Sequence, residues 1–500
     1  MVLGPIAGSI NRALASSQPK EPNNSQEWLL NRDKRVGTSL VPWIYIHAPL
    51  EHWMSNYKQA FDAWEKGGVR GIVVGPLYFF EKVPHFEMSY QYQYAGKKYP
   101  TFLPDLKVYR SFGVAPPSVS SRDRKKEIQF YAMLDAAASR GWEILFFGTG
   151  LAGGSLPPSK DPFNVVGFAA AVEDTMRAFP QAHGVVIDGA GEQSYELAFH
   201  HGGEFLEIPQ YKRAQFQELG YDIARMERGI ARLRDRLHQL TPPMVRYYSS
   251  GGTLGGLALL DLNEDTLYWL RARQEITMKY MAALRSETNK LPHKAKLGTI
   301  PRTAAFSILT TEDFVKTHQF FDYIFPKYYF WNRGFDGMYG VVARWVQRLS
   351  DWNPGLTERD CFAVVKSVLG LELPGIQSIA DMERGFPEEF YSQVVAPETR
   401  RALDAVGDDN KVIGWVSTGR HPHAGDPMPS GDLYRILVAS HRAGLRRFVY
   451  HPDPYLGAAE WEVISELCGQ RWKEDPTGYW PSDTPKPDSW NGGRKPGDNR

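Results

Sequence analysis

The chain has 500 residues, with 58 Lys and Arg against 57 Asp and Glu, for a formal net charge of +1. Hydrophobic residues make up 42% and charged residues 23%, an ordinary globular composition, and no block of positive charge offers a footprint for nucleic acid. Two cysteines, Cys361 and Cys468, exclude a disulfide-dense scaffold and a cysteine-ligated zinc site, and no apolar run approaches the roughly 18 residues that span a bilayer.

Residues 1–38 are polar, carry few aromatic rings and read as a tail. Ala13-Leu14-Ala15-Ser16-Ser17 has the small-residue character of a signal cleavage site. It lacks a preceding basic segment, and Asn11 and Arg12 interrupt the apolar part. A cytoplasmic location and export with a removed signal therefore both remain open. From residue 39 to about 472, short apolar runs alternate with helical patterns, and 473–500, rich in Pro, Gly, Asp and Lys, reads as a second tail.

In chain order the strand candidates are 43–47, 71–74, 143–148, 184–188, 296–300, 323–329, 412–417 and 447–451. Between them, apolar residues at three- and four-residue spacing predict helices over 125–139, 214–240, 265–286, 312–320, 338–349, 431–443 and 458–467. Arg122, Arg124, Lys125 and Lys126 fit the solvated opening of the first of these helices. Residues 244–249 also have strand character, and 364–371 fits either a strand or a helix end. Alternation of this kind implies parallel strands with right-handed crossovers. Eight units over about 430 residues predict an α/β fold, a (β/α)8 TIM-type barrel, with an open doubly wound sheet as the alternative. Long insertions are expected after the second strand (76–120), the fourth (189–209) and the sixth (330–336).

Chemistry in such barrels gathers where strands end. The run Gly184-Val185-Val186-Ile187 stops at Asp188, and Gly189-Ala190-Gly191-Glu192 follows, with Glu196, His200, His201 and Glu204 beyond. Acid/base chemistry by paired carboxyl groups needs one protonated and one ionised member. Glu192 is the candidate acid, Asp188 the candidate nucleophile or charge stabiliser, and Glu196 a substitute for either. Glu372, Asp336 and Asp453 are further candidates for the second carboxylate. At the same barrel end, His47, Tyr78, Lys327, Tyr328, Trp331, Arg420, His421, His423, His451 and Asp453 supply the hydrogen-bonding groups and rings that bind a polyhydroxylated substrate. A His-x-His at a strand end also has metal-ligand spacing, but contacts to sugar hydroxyls are the preferred reading, with no metal and no cofactor.

On these residues the chain resembles the (β/α)8 glycoside hydrolases, many of which carry a catalytic carboxylate at the end of the fourth strand, where Ile187-Asp188-Gly189-Ala190-Gly191-Glu192 stands. The resemblance covers roughly residues 40–470 and implies a carbohydrate substrate; the Asn-Glu pair common at this strand is replaced by Asp188-Gly189. Lys327 occupies the sixth-strand position where class I aldolases carry their Schiff-base lysine. A lyase, a metal-dependent hydrolase and a non-catalytic sugar-binding barrel are the competing readings.

Overall fold

The computed structural model describes residues 39–82, 97–118, 121–148, 151, 163–189, 191, 195–197, 205–330, 337–417, 429–452, 456–473 and 479–481. In chain order the strands are β1 (Val41–His47), β2 (Gly71–Gly75), β3 (Tyr78–Phe80), β4 (Lys98–Pro100), β5 (Glu143–Phe147), β6 (Gly184–Asp188), β7 (Lys296–Ile300), β8 (Tyr323–Ile324), β9 (Lys327–Tyr328), β10 (Ile413–Ser417) and β11 (Arg447–His451). Nine of them form one sheet in the order β8-β7-β6-β5-β2-β1-β11-β10-β9, every pairing parallel. The other two make the antiparallel β3–β4 hairpin inside the insertion after β2.

β8 and β9 are one extended run interrupted at Pro326, which has no N–H to give to a ladder. On one side the Phe325 N–H donates to the Thr299 carbonyl (2.8 Å) and the Lys327 N–H to that of Pro301 (2.9 Å). On the other, the Ile324 N–H donates to Lys411 O and the Trp415 N–H to Pro326 O, both at 2.8 Å. The two ends of the sheet are thus the same stretch, and the sheet closes on itself as an eight-stranded (β/α)8 barrel. All eight strand candidates of the sequence are its staves.

The ten longer helices used below are α1 (Tyr57–Lys66), α2 (Arg124–Ala138), α3 (Val165–Ala178), α4 (Ile223–Leu237), α5 (Glu264–Asn289), α6 (Met338–Trp352), α7 (Glu358–Leu369), α8 (Ala396–Val406), α9 (Ser430–Arg442) and α10 (Ala458–Cys468). Local chemistry sets their ends. The Asp123 carboxylate accepts the Lys126 N–H at the start of α2, and Asn263 accepts the Thr266 N–H at the start of α5. A Thr357–Asp360 capping box opens α7, and Gly370, at φ +61°, ends it. Residues 364–371 are therefore mostly helix end. Residues 244–248 lie in the helix Pro242–Tyr248, which two prolines start, and Ser249 caps its end. The helix expected over 214–240 breaks in two at Gly220 (φ +82°), and Asp222 caps the second half. Among the described residues five helices, the first starting at Gln210, lie between β6 and β7. Among the described residues no helix is long and apolar enough to cross a membrane.

Aromatic rings fill the barrel. Trp43 meets Phe325 and Tyr323, and Tyr45 meets Phe147, Trp415 and His451, at centroid distances of 4.8–6.4 Å. Rings this large fit because glycines face them: a Cβ at Gly71 would lie 2.5 Å from the Trp43 indole, and one at Gly298 2.5 Å from Phe325. At the amino ends of the strands the Lys296 ammonium bonds Glu143 (2.7 Å) and the Tyr323 hydroxyl (2.8 Å), and this polar plug closes the bottom. At the carboxyl end Asp188 emerges, partly exposed.

Candidate active site

Asp188 is the last residue of β6, and its side chain is 35% exposed at the mouth of the barrel. Lys327, from β9, reaches across to it, Nζ 2.9 Å from Oδ1, with only 8% of its side chain exposed. A buried lysine needs an anion to remain in the barrel, and Asp188 supplies it. This pair engages the amine that a Schiff-base reading requires. Tyr328, next along β9, points the other way, as a strand's two-residue period demands. Its ring stacks on Phe330 and meets Gly414 on the barrel wall, and burial, with Glu398 of α8 nearby, pushes its hydroxyl pKa up. Tyr328, expected to bind substrate, is buried on the face of the strand opposite Lys327.

On the far side of the mouth, His47 ends β1 and His451 ends β11, with rings 5.4 Å apart. The Tyr329 hydroxyl lies 2.8 Å from His451 Nδ1, and the Trp415 indole N–H donates to the same nitrogen at 3.3 Å. An indole only donates, so Nδ1 accepts and the neutral ring carries its proton on Nε2. The structure therefore groups Asp188, Lys327, His47 and His451 at one end, joined by Tyr45, Tyr329 and Trp415, which the sequence reading passed over. Tyr78 opens the β3–β4 hairpin, half-buried, with the Lys98 ammonium 4.1 Å over its ring.

Glu196 has a different environment. It is buried, and both its oxygens accept from the Arg344 guanidinium of α6, at 2.5 and 2.7 Å. Such a bidentate pair fixes the carboxylate's geometry and joins the loop after β6 to α6. Glu372 is exposed and paired with Lys366 (2.9 Å). Glu192, Trp331, Asp336, Arg420, His421, His423 and Asp453 lie outside the described residues.

A carboxyl group that sequence reasoning missed stands beside the pair. Glu312 follows β7 and the short turns after it, is 3% exposed, and accepts a hydrogen bond from the Thr299 hydroxyl at 3.1 Å. Burial pushes its pKa up to about 7; the Asp188 charge adds to this, while Thr299, Lys327 and Arg302 act against it. In the sequence it reads as the first acid of a helix over 312–320. The helix is only Phe314–Thr317, capped by Asp313, which leaves Glu312 free of that role.

No family model and no curated protein matches the sequence. The structure is similar to several solved glycoside hydrolases. Against the glycoside hydrolase domain of PgaB from Bordetella bronchiseptica the TM-score is 0.37 at 10% identity, over 87% of this chain and 100% of that one. For the catalytic domain of a beta-amylase from Paenibacillus polymyxa the score is 0.42 at 10% identity, over 88% and 100%. A GH18 chitinase from Pseudoalteromonas aurantia gives 0.35 at 8% identity, over 83% and 93%. The barrel itself is defined by the strand pairing alone.

Proposed function

We propose that the barrel, from residue 39 to about 472, is a carbohydrate-active enzyme that cleaves a glycosidic bond by carboxylate acid/base chemistry. The observation that carries this reading is the Asp188 carboxylate at the carboxyl end of β6, held by Lys327 and facing a wall of imidazole, phenol and indole groups. Polar groups fix hydroxyls in such a cleft, and rings cover the apolar faces of a sugar.

In this proposal Asp188 is the ionised partner, as nucleophile or as the charge that stabilises an oxocarbenium ion. Lys327 orients it. Glu192, four residues on, is the candidate acid, and His47 and His451 contact hydroxyls, with His451 donating from Nε2. Trp331, Arg420, His421, His423 and Asp453 extend the binding surface in the same proposal. Glu196 is assigned to structure because Arg344 occupies both of its oxygens.

Sugar release from a panel of aryl glycosides and polysaccharides, with and without a chelator, tests the reading. Release that a chelator does not change is the expected result. No release from any substrate, together with a thermal shift caused by sugars, would identify a binding protein instead.

A further inference from the structure

The chain goes to unusual lengths to place the Glu312 carboxyl where it is. Thr311, immediately before it, has φ +63°, a left-handed conformation that a β-branched residue adopts only when its surroundings impose it. Helix α5 imposes it. The Arg273 guanidinium donates to the Leu309 carbonyl (3.0 Å), and the Thr277 and Thr311 hydroxyls are 2.7 Å apart. From above, Gly191 closes the space: a Cβ there would overlap the Glu312 side chain and the Thr310 carbonyl. Below, Thr299 of β7 donates to the carboxyl, and Thr299 is the register partner of Ile187, the neighbour of Asp188.

The charged and titratable groups that face Glu312 are Asp188 from β6, Lys327 from β9, Arg302 from the loop after β7 and Tyr280 from α5. The Tyr280 hydroxyl is itself pushed up to about 12 by burial and by Glu312.

We infer that Glu312 is a positioning residue of the Asp188 site: its neutral carboxyl leaves the Lys327–Asp188 pair undisturbed, and its ionised form competes for that ammonium and repels Asp188. The switch is the loss of one proton from the carboxyl to bulk solvent. This deepens the proposed function by assigning the site a built-in ionisation that limits its working form on the alkaline side. Neutral Glu312, the form present below its raised pKa of about 7, is the working one.

The test uses thermal unfolding of the full chain from pH 4 to 9, for the wild type, Glu312→Gln, Asp188→Asn and the double variant. A carboxyl whose folded pKa is raised contributes stability that is complete below the unfolded value of 4.5 and is lost as pH rises to the folded value. The wild type should therefore lose a few degrees relative to Glu312→Gln between pH about 4.5 and 7 and run parallel to it above. In the Asp188→Asn background the same step should end at lower pH, because the charge that raises Glu312 is gone. A buried acid that is not coupled to Asp188 would not feel that change. Thr299→Val, which removes the hydroxyl donor without altering shape, should move the step to higher pH and gives a second handle if Glu312→Gln fails to fold. Parallel curves for wild type and Glu312→Gln, or a step that Asp188→Asn leaves in place, would overturn the inference. These melts need no substrate, so their failure is separate from a failure of the glycosidase reading.

Discussion

Replacing Glu196 by Gln separates a structural acid from a catalytic one. The wild-type carboxylate is 1% exposed and bonded twice to Arg344, whose own side chain is 26% exposed. The change removes the charge and leaves the guanidinium over a neutral amide. Breaking a buried pair by removing one partner costs about 3–5 kcal/mol. Water can reach part of the guanidinium, so the lower end, about 3 kcal/mol, applies. At about 2 °C per kcal/mol for a domain of this size, the melting temperature should fall by about 6 °C. Arg344→Met should cost a similar amount at neutral pH, because it strands the buried carboxylate. The double variant Glu196→Gln/Arg344→Met should recover part of the loss, because neither charge is then left alone. The assay is thermal unfolding of all three variants, with turnover measured per mole of folded protein. Glu196→Gln should keep its turnover at a temperature where it is folded. A variant that melts like the wild type but loses turnover a thousandfold would refute the structural assignment and return Glu196 to the chemistry.

Other outcomes follow from the packing and the charges. Gly298→Ala should destabilise the barrel by about 1–3 kcal/mol, seen as a lowered denaturant midpoint, because its Cβ would lie 2.5 Å from the Phe325 ring. Gly191→Ala should leave the barrel folded by circular dichroism while displacing Glu312, and so should shift the pH profile of turnover; an unchanged profile would show that the contact is not needed. Lys327→Met should reduce turnover at least tenfold with little change in melting temperature, since the Asp188 charge it strands is partly exposed; a large loss of stability instead would make the pair structural.

The eight strands were legible because staves of a parallel barrel are buried on both faces and read as continuous apolar runs; Gly184–Asp188 is the clearest, four buried residues and then an exposed acid. Closure was legible only through the count of eight strand–helix units; the run broken at Pro326 that pairs on both sides shows in no local pattern. Within the site, Asp188 was visible because it stands at a strand end. Its partner Lys327 was visible as a lysine in a strand. Tyr328 follows Lys327 directly, and the two-residue alternation of a strand turns it into the wall, where it is buried. Glu196 reads as a loop acid available for the chemistry because its partner Arg344 is 148 residues distant in sequence. Glu312 reads as a helix-opening acid, and only the folded packing of Thr299, Gly191 and α5 around it shows a carboxyl sealed beside Asp188.

The most direct test of the central claim is Asp188→Asn on whichever glycoside the wild type cleaves fastest, with turnover and sugar binding measured on the same preparation. Loss of turnover by at least a thousandfold, with the dissociation constant for the sugar changed no more than a few-fold, is the predicted result. Turnover within a few-fold of the wild type would show that the chemistry lies elsewhere on the barrel.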